Sequence, residues 1–114
     1  MDIVMDQIVI YEEHEFTKIV QEQNSFFLLK HSLTCPISTN AKHQYDAFSK
    51  TANIPVYVLY VQEARALSNL IADHYQVKHE SPQVLLFKDN QVVWHDSHGR
   101  ITEKVLHKEI ANSI

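Results

Sequence analysis

One cysteine, one glycine and three prolines stand among the 114 residues of this chain. A lone cysteine forms no internal disulfide, so no disulfide framework holds the fold. A lone glycine, Gly99, excludes a P-loop and a dinucleotide fingerprint, which need several glycines where the backbone approaches phosphate. Basic charge is also scarce. Ten Lys and Arg against 14 Asp and Glu give a net charge of −4. That balance offers no basic surface to a nucleic acid or an anionic membrane. No apolar stretch approaches the ~20 residues of a membrane span. The opening Met1-Asp2-Ile3-Val4-Met5-Asp6 has neither the basic region nor the long apolar run of an export signal. The expected compartment is therefore the cytoplasm, where thiols stay reduced. No repeat, low-complexity tract or linker is visible. The length suits one domain over residues 1–114.

Histidine, by contrast, is plentiful, with eight residues. Their spacing argues against a metal site. His95 and His98 sit near a strand end, where alternation sends them to opposite faces. His31 and Cys35 flank a loop, with no second cysteine and no helical His-x-x-x-His pair beside them. No metal is expected, and the histidines read as surface or boundary residues.

The apolar pattern sets the order of elements. An extended lead covers Gln7 to Tyr11, and Tyr11 to Gln23 reads as a helix with Phe16, Ile19 and Val20 on one face. Phe26 to Lys30 is a near-continuous apolar run, as expected of a strand covered on both faces. A second helix runs from Pro36 to about Lys50, with Ile37, Ala41, Tyr45 and Phe48 at helical spacing. Pro55 to Val61 is a second core strand, and Glu63 to Tyr75 a third helix with Leu67, Leu70, Ile71 and His74 or Tyr75 inward. Gln83 to Phe87 and Val92 to His95 form a hairpin across Lys88-Asp89-Asn90-Gln91, because Asp and Asn tolerate positive φ. Thr102 N-caps the last helix, Ile101 staples to Leu106, and Val105, Leu106 and Ile110 face the core. The crossover helix between the two core strands makes them parallel. The fold expected is α/β, a central mixed sheet of parallel core strands plus an antiparallel hairpin, with helices on both faces.

Cys35 lies at the carboxyl end of the first core strand, where open α/β sheets place their sites. Pro36 suits the first helical position, which makes Cys35 the N-cap. The N–H groups of Ile37 and Ser38 can then bond its sulfur, and the helix dipole adds positive potential there. Both favour the thiolate, which is the nucleophile. The nearest cations in sequence are Lys30, His31 and Lys42. The expectation is a moderately acidified thiol. A free cysteine without such placement would read as a small buried hydrophobe.

The element order, Cys35-Pro36 after the first core strand, and Pro82 ahead of Val84-Leu85-Leu86-Phe87-Lys88-Asp89 together resemble the thioredoxin superfamily over nearly the whole chain. Within it, Thr34-Cys35-Pro36-Ile37-Ser38 is similar to the active-site loop of the monothiol bacilliredoxins, the YtxJ-like proteins of bacillithiol-using bacteria. Ser38 occupies the place of the second cysteine of dithiol thioredoxins. Cluster-binding monothiol glutaredoxins carry Cys-Gly-Phe-Ser, and a Gly-Gly-x-Asp-Asp segment where this chain has Asp96-Ser97-His98-Gly99-Arg100. That difference argues against glutathione binding and iron–sulfur assembly.

The resemblance implies a cytoplasmic thiol–disulfide oxidoreductase that removes bacillithiol from S-bacillithiolated proteins, through a mixed disulfide on Cys35 as nucleophile. It implies that Pro82 is cis, faces the sulfur, and leaves the backbone of Ser81 to pair with substrate; otherwise Pro82 is a trans proline that starts a strand. Bacillithiol would be a co-substrate, with no tightly bound cofactor. Another bacilliredoxin or a disulfide reductase could close the cycle in its place. Two other readings stay open: a non-catalytic thioredoxin-like adaptor, and a redox sensor whose modified Cys35 a partner reads.

Overall fold

The apolar run that begins at Phe26 becomes the middle of a five-stranded sheet in the computed structural model, which describes residues 8–113. In chain order the elements are β1 (Ile8–Val9), α1 (Glu13–Glu22), β2 (Ser25–His31), α2 (Pro36–Ser49), β3 (Val56–Tyr60), α3 (Arg65–Tyr75), β4 (Gln83–Lys88), β5 (Gln91–Ser97) and α4 (Glu103–Ser113), with a 3-10 turn at His98–Arg100. The strand order is β1-β3-β2-β4-β5. β1, β3 and β2 run parallel, while β4 is antiparallel to β2 and β5 to β4. This is the mixed α/β arrangement expected from the pattern. The lead segment contributes a strand at Ile8–Val9, and Gln7, which the expected strand included, lies outside the described residues.

Strand alternation divides the core in two. Phe26 and Leu28 of β2 point to one face, where Phe16 and Ile19 of α1 and Leu67 and Ile71 of α3 cover them. Phe27 and Leu29 point to the other, under Ala41, Tyr45 and Phe48 of α2 and Leu106 of α4. Burial of each such side chain contributes roughly 1.5–3 kcal/mol. Aromatic geometry adds to it: Phe26 stacks on Phe87 with ring centroids 4.6 Å apart, and Phe16 meets both rings edge-on. The hydroxyl of buried Tyr45 donates to the Tyr57 carbonyl at 2.8 Å, which satisfies the one polar atom that ring brings inside.

The turn chemistry matches its residues. Asp89 and Asn90 carry φ of 51° and 61°, the left-handed pair that a tight hairpin needs. The Thr102 hydroxyl accepts the Val105 N–H at 3.2 Å and caps α4, with Ile101 and Leu106 buried in one cluster. Some inward assignments fail. Ile37 and Leu70 are exposed, at 48% and 38%, and Val105 is only half-buried. Helical periodicity ranks faces but does not show where a covering layer ends. Ile37, in the first turn of α2, projects beyond the sheet beside the thiol. Leu70 lies at the rim of α3, and of the next pair Tyr75, not His74, packs on the core.

Candidate functional site

β2 ends at His31, and the loop Ser32-Leu33-Thr34 carries the chain to Cys35 and into α2 at Pro36. Cys35 is the N-cap, with extended φ −103° and ψ 121° and Pro36 at the first helical position. Its carbonyl accepts the N–H of Ser38 at 3.0 Å and of Thr39 at 3.3 Å. The sulfur closes no full cap hydrogen bond, yet the two amides expected above, those of Ser38 and Ile37, both act on it. The Ser38 N–H also donates to the Cys35 carbonyl, which it shares with the sulfur. The amide of Ser38 still points enough positive charge toward Sγ to lower the thiol's pKa. Partial burial opposes this, while the Ile37 amide and the Ser38 hydroxyl assist. The net direction is toward thiolate. A pH titration of thiolate absorbance, with Cys35→Ser as blank, should therefore give a midpoint below that of an unstructured cysteine. A midpoint at or above it would contradict the activated thiol.

The loop ahead of the thiol is held from two sides. Ser38 is fully buried, and its Oγ accepts the Ser32 N–H at 3.3 Å. From the turn after β3, Gln62 reaches residues 32–34 with both ends of its amide. Leu33, Thr34, Pro36 and Ile37 remain exposed around the half-buried sulfur.

Register brings a second segment to the same end of the sheet. Lys30, near the end of β2, lies opposite Gln83, the first residue of β4, so Ser81 and Pro82 enter the sheet where β2 leaves it. The Ser81–Pro82 peptide bond is cis. Pro82 is buried, and its carbonyl accepts the His98 N–H at 3.0 Å, with His98 at φ 57°. Ser97 Oγ donates to Glu80 at 2.8 Å and Arg100 pairs with Asp96, which fastens the flanks of this segment.

The cations named from sequence do not converge on the sulfur. Lys30 points to the α3 side of the sheet: its fully buried ammonium donates to the Ser68 carbonyl at 3.0 Å and lies 3.4 Å from His79 Nδ1. Burial pushes the Lys30 pKa down to about 8. His79 is also lowered, by burial and then by Lys30. Ser68 Oγ stands 3.2 Å from the same nitrogen, and a neutral ring with its proton on Nε2 would accept from both groups there. His31 packs edge-on against Tyr60, and burial, then Lys42, lowers its pKa as well. Lys42 pairs with Asp46 at 2.6 Å. Sequence pattern had no signal for Gln62, Ser68 or His79, whose contacts span the fold. Among the described residues no group of three or more His, Cys, Asp or Glu side chains could hold a metal ion, and no helix is long and apolar enough to cross a membrane.

Comparison with known proteins bears on this site. A family model described as "Monothiol bacilliredoxin BrxC" matches residues 8–106. A solved structure described as a proposed oxidoreductase with a thioredoxin fold is 37% identical, with a TM-score of 0.86 over 94% of this chain and 97% of its own. A point mutant of thioredoxin from Halobacterium salinarum superposes with a TM-score of 0.79 at 17% identity, covering 99% of this chain and 95% of its own. Thioredoxin from Malassezia sympodialis gives 0.78 at 14% identity, with 95% and 90% covered. These last two likenesses speak for the fold alone. The fold is thioredoxin-like.

Proposed function

The chain belongs to the monothiol bacilliredoxin family, and from that premise we propose that it removes bacillithiol from S-bacillithiolated proteins by exchange at Cys35. Membership in a thiol–disulfide redox family is the established part. The proposal supplies the substrate and the order of steps. Its chief support is the placement of the chain's one cysteine at the α2 N-cap, with Ser38 on the next turn where a resolving thiol would stand.

Thiolate Cys35 attacks the bacillithiol sulfur of a protein–bacillithiol disulfide. The old S–S bond breaks, the protein leaves as a thiolate, and a Cys35–bacillithiol disulfide forms. Ser38 has no thiol to displace that adduct. A second bacillithiol thiolate then attacks it, releasing bacillithiol disulfide and regenerating Cys35; another bacilliredoxin or a disulfide reductase would serve the same step. Bacillithiol is thus co-substrate, and the cycle calls for no tightly bound cofactor or metal. Thr34, Pro36 and Ile37 form the exposed rim against which a protein substrate would rest. Ser81, whose backbone pairs with nothing among the described residues, would take an extended stretch of that substrate beside cis-Pro82. The site of action on this reading is the cytoplasm.

Intact mass after incubation with a bacillithiolated protein is the direct test. One bacillithiol should appear on Cys35 as it disappears from the substrate, and should leave again when free bacillithiol is added. No adduct on an alkylatable Cys35 would indicate an adaptor. An adduct that forms and never turns over would indicate a sensor.

A further inference from the structure

We infer that Gln62 is a positioning residue for Cys35, a single side chain that clamps the three residues leading to the nucleophile. The geometry uses the whole amide. Gln62 Oε1 accepts the Leu33 N–H at 3.0 Å, and Nε2 donates to Ser32 Oγ at 2.9 Å and to Thr34 Oγ1 at 3.4 Å. An amide supplies one acceptor and two donor hydrogens from one rigid plane. Neither a carboxylate nor an apolar side chain of that size can make the same set.

The support under Gln62 is itself fixed. The preceding residue, Val61, is buried and its N–H donates to the His31 carbonyl at 2.9 Å, extending the pairing of β3 with β2 past the strand ends. The following residues, Glu63 and Ala64, both donate to the Tyr60 carbonyl at 2.9 Å. Gln62 therefore stands on a closed turn and reaches across to a loop that has little else. Leu33 and Thr34 are exposed, and no core packing holds them. Besides Gln62, the Ser32 N–H donates to buried Ser38 Oγ, and the Ser32 and Thr34 hydroxyls stand 3.5 Å apart.

The chemistry follows from what that loop precedes. The thiol's acidity comes first from the Ser38 amide and next, on the favourable side, from the Ile37 amide, dipoles that act only while Sγ stays at the mouth of α2. A loop free to swing would average Sγ away from them. Gln62 keeps the extended N-cap conformation populated without touching the sulfur.

This inference rests on Cys35 as the reacting thiol, and its readouts do not depend on the identity of the substrate. In Gln62→Ala and in the similar-sized Gln62→Met, the thiolate midpoint should rise and iodoacetamide alkylation at neutral pH should slow, by roughly five- to tenfold for the loss of about one net hydrogen bond. The Leu33 amide proton should exchange faster. The melting temperature should fall by no more than about 4–8 °C, the shift that about 1 kcal/mol makes in a domain near this size, so that the variants remain folded where the thiol is assayed. Glu63→Ala, in the same turn and with a side chain that makes no hydrogen bond among the described residues, should change none of these. An unchanged midpoint and alkylation rate in both Gln62 variants would overturn the inference, as would an equal loss in Glu63→Ala. Failure of bacillithiol transfer by the unmodified protein, with the Gln62 effects intact, would instead remove only the proposed substrate.

Discussion

Cys35→Ala should abolish thiol exchange, by on the order of 10³-fold or more, while the protein folds as before. The size follows from the mechanism. Exchange proceeds through a covalent bond to the attacking sulfur, and no second thiol exists in the chain to replace it. Removing a nucleophile costs enzymes losses of this scale or larger. The fold should tolerate the change because Sγ is only half-buried and closes no cap hydrogen bond. The backbone carbonyl of residue 35 goes on accepting the Ser38 and Thr39 N–H groups whatever its side chain. Circular dichroism and the bacillithiol-transfer assay on one sample separate the two effects. Retained transfer would exclude Cys35 as the attacking group. A lost fold would assign it to the core.

The N-cap placement of Cys35 could be read from the sequence because its signals are local. Cys35 and Pro36 are neighbours, and a proline at the first helical position together with the apolar strand before it needs nothing from the rest of the chain. The hairpin was legible for the same reason, since Asp89 and Asn90 alone provide the two positive φ angles. The central strand was legible as an apolar run, with one misreading inside it. Lys30 counts in sequence as a cation near the thiol, yet a strand sends alternate residues to opposite faces, and Lys30 goes to the side of α3. Its partners, Ser68 and His79, stand 38 and 49 residues away. Gln62 is about 30 residues from the loop it holds. Contacts of that range leave no periodicity. An exposed glutamine in a turn looks like any other, and only the fold shows what its amide meets.

Lys30 carries the other large expected effect, on stability against pH. Its ammonium is fully buried, and its pKa falls from 10.5 to about 8. Between those values the unfolded chain holds a proton at this position that the folded chain has released. Stability must therefore rise with pH across that window. At about 1.4 kcal/mol per unit, the gain reaches up to roughly 3 kcal/mol. Below pH 8 the same penalty is fully present, because folding then buries a charge. Tyr45, Tyr57 and Tyr75 act oppositely above pH 10, since burial raises all three and the unfolded chain ionises first. The clean interval is thus about pH 8 to 9.5. Cys35, with its lowered pKa, adds a smaller rise of the same sign up to about pH 9 in every variant that keeps it. The Lys30 contribution is therefore the difference between the parent and Lys30→Met, which fills the same space without the charge and at pH 7 should equal or exceed the parent. Lys30→Ala should lie about 2–4 kcal/mol below Lys30→Met at any pH, because it leaves a cavity between β2 and α3. Urea unfolding of the three proteins at half-unit pH steps measures all of this. A parent curve parallel to that of Lys30→Met would mean that the buried ammonium keeps its ordinary pKa, held by Ser68 and His79 as well as water holds it.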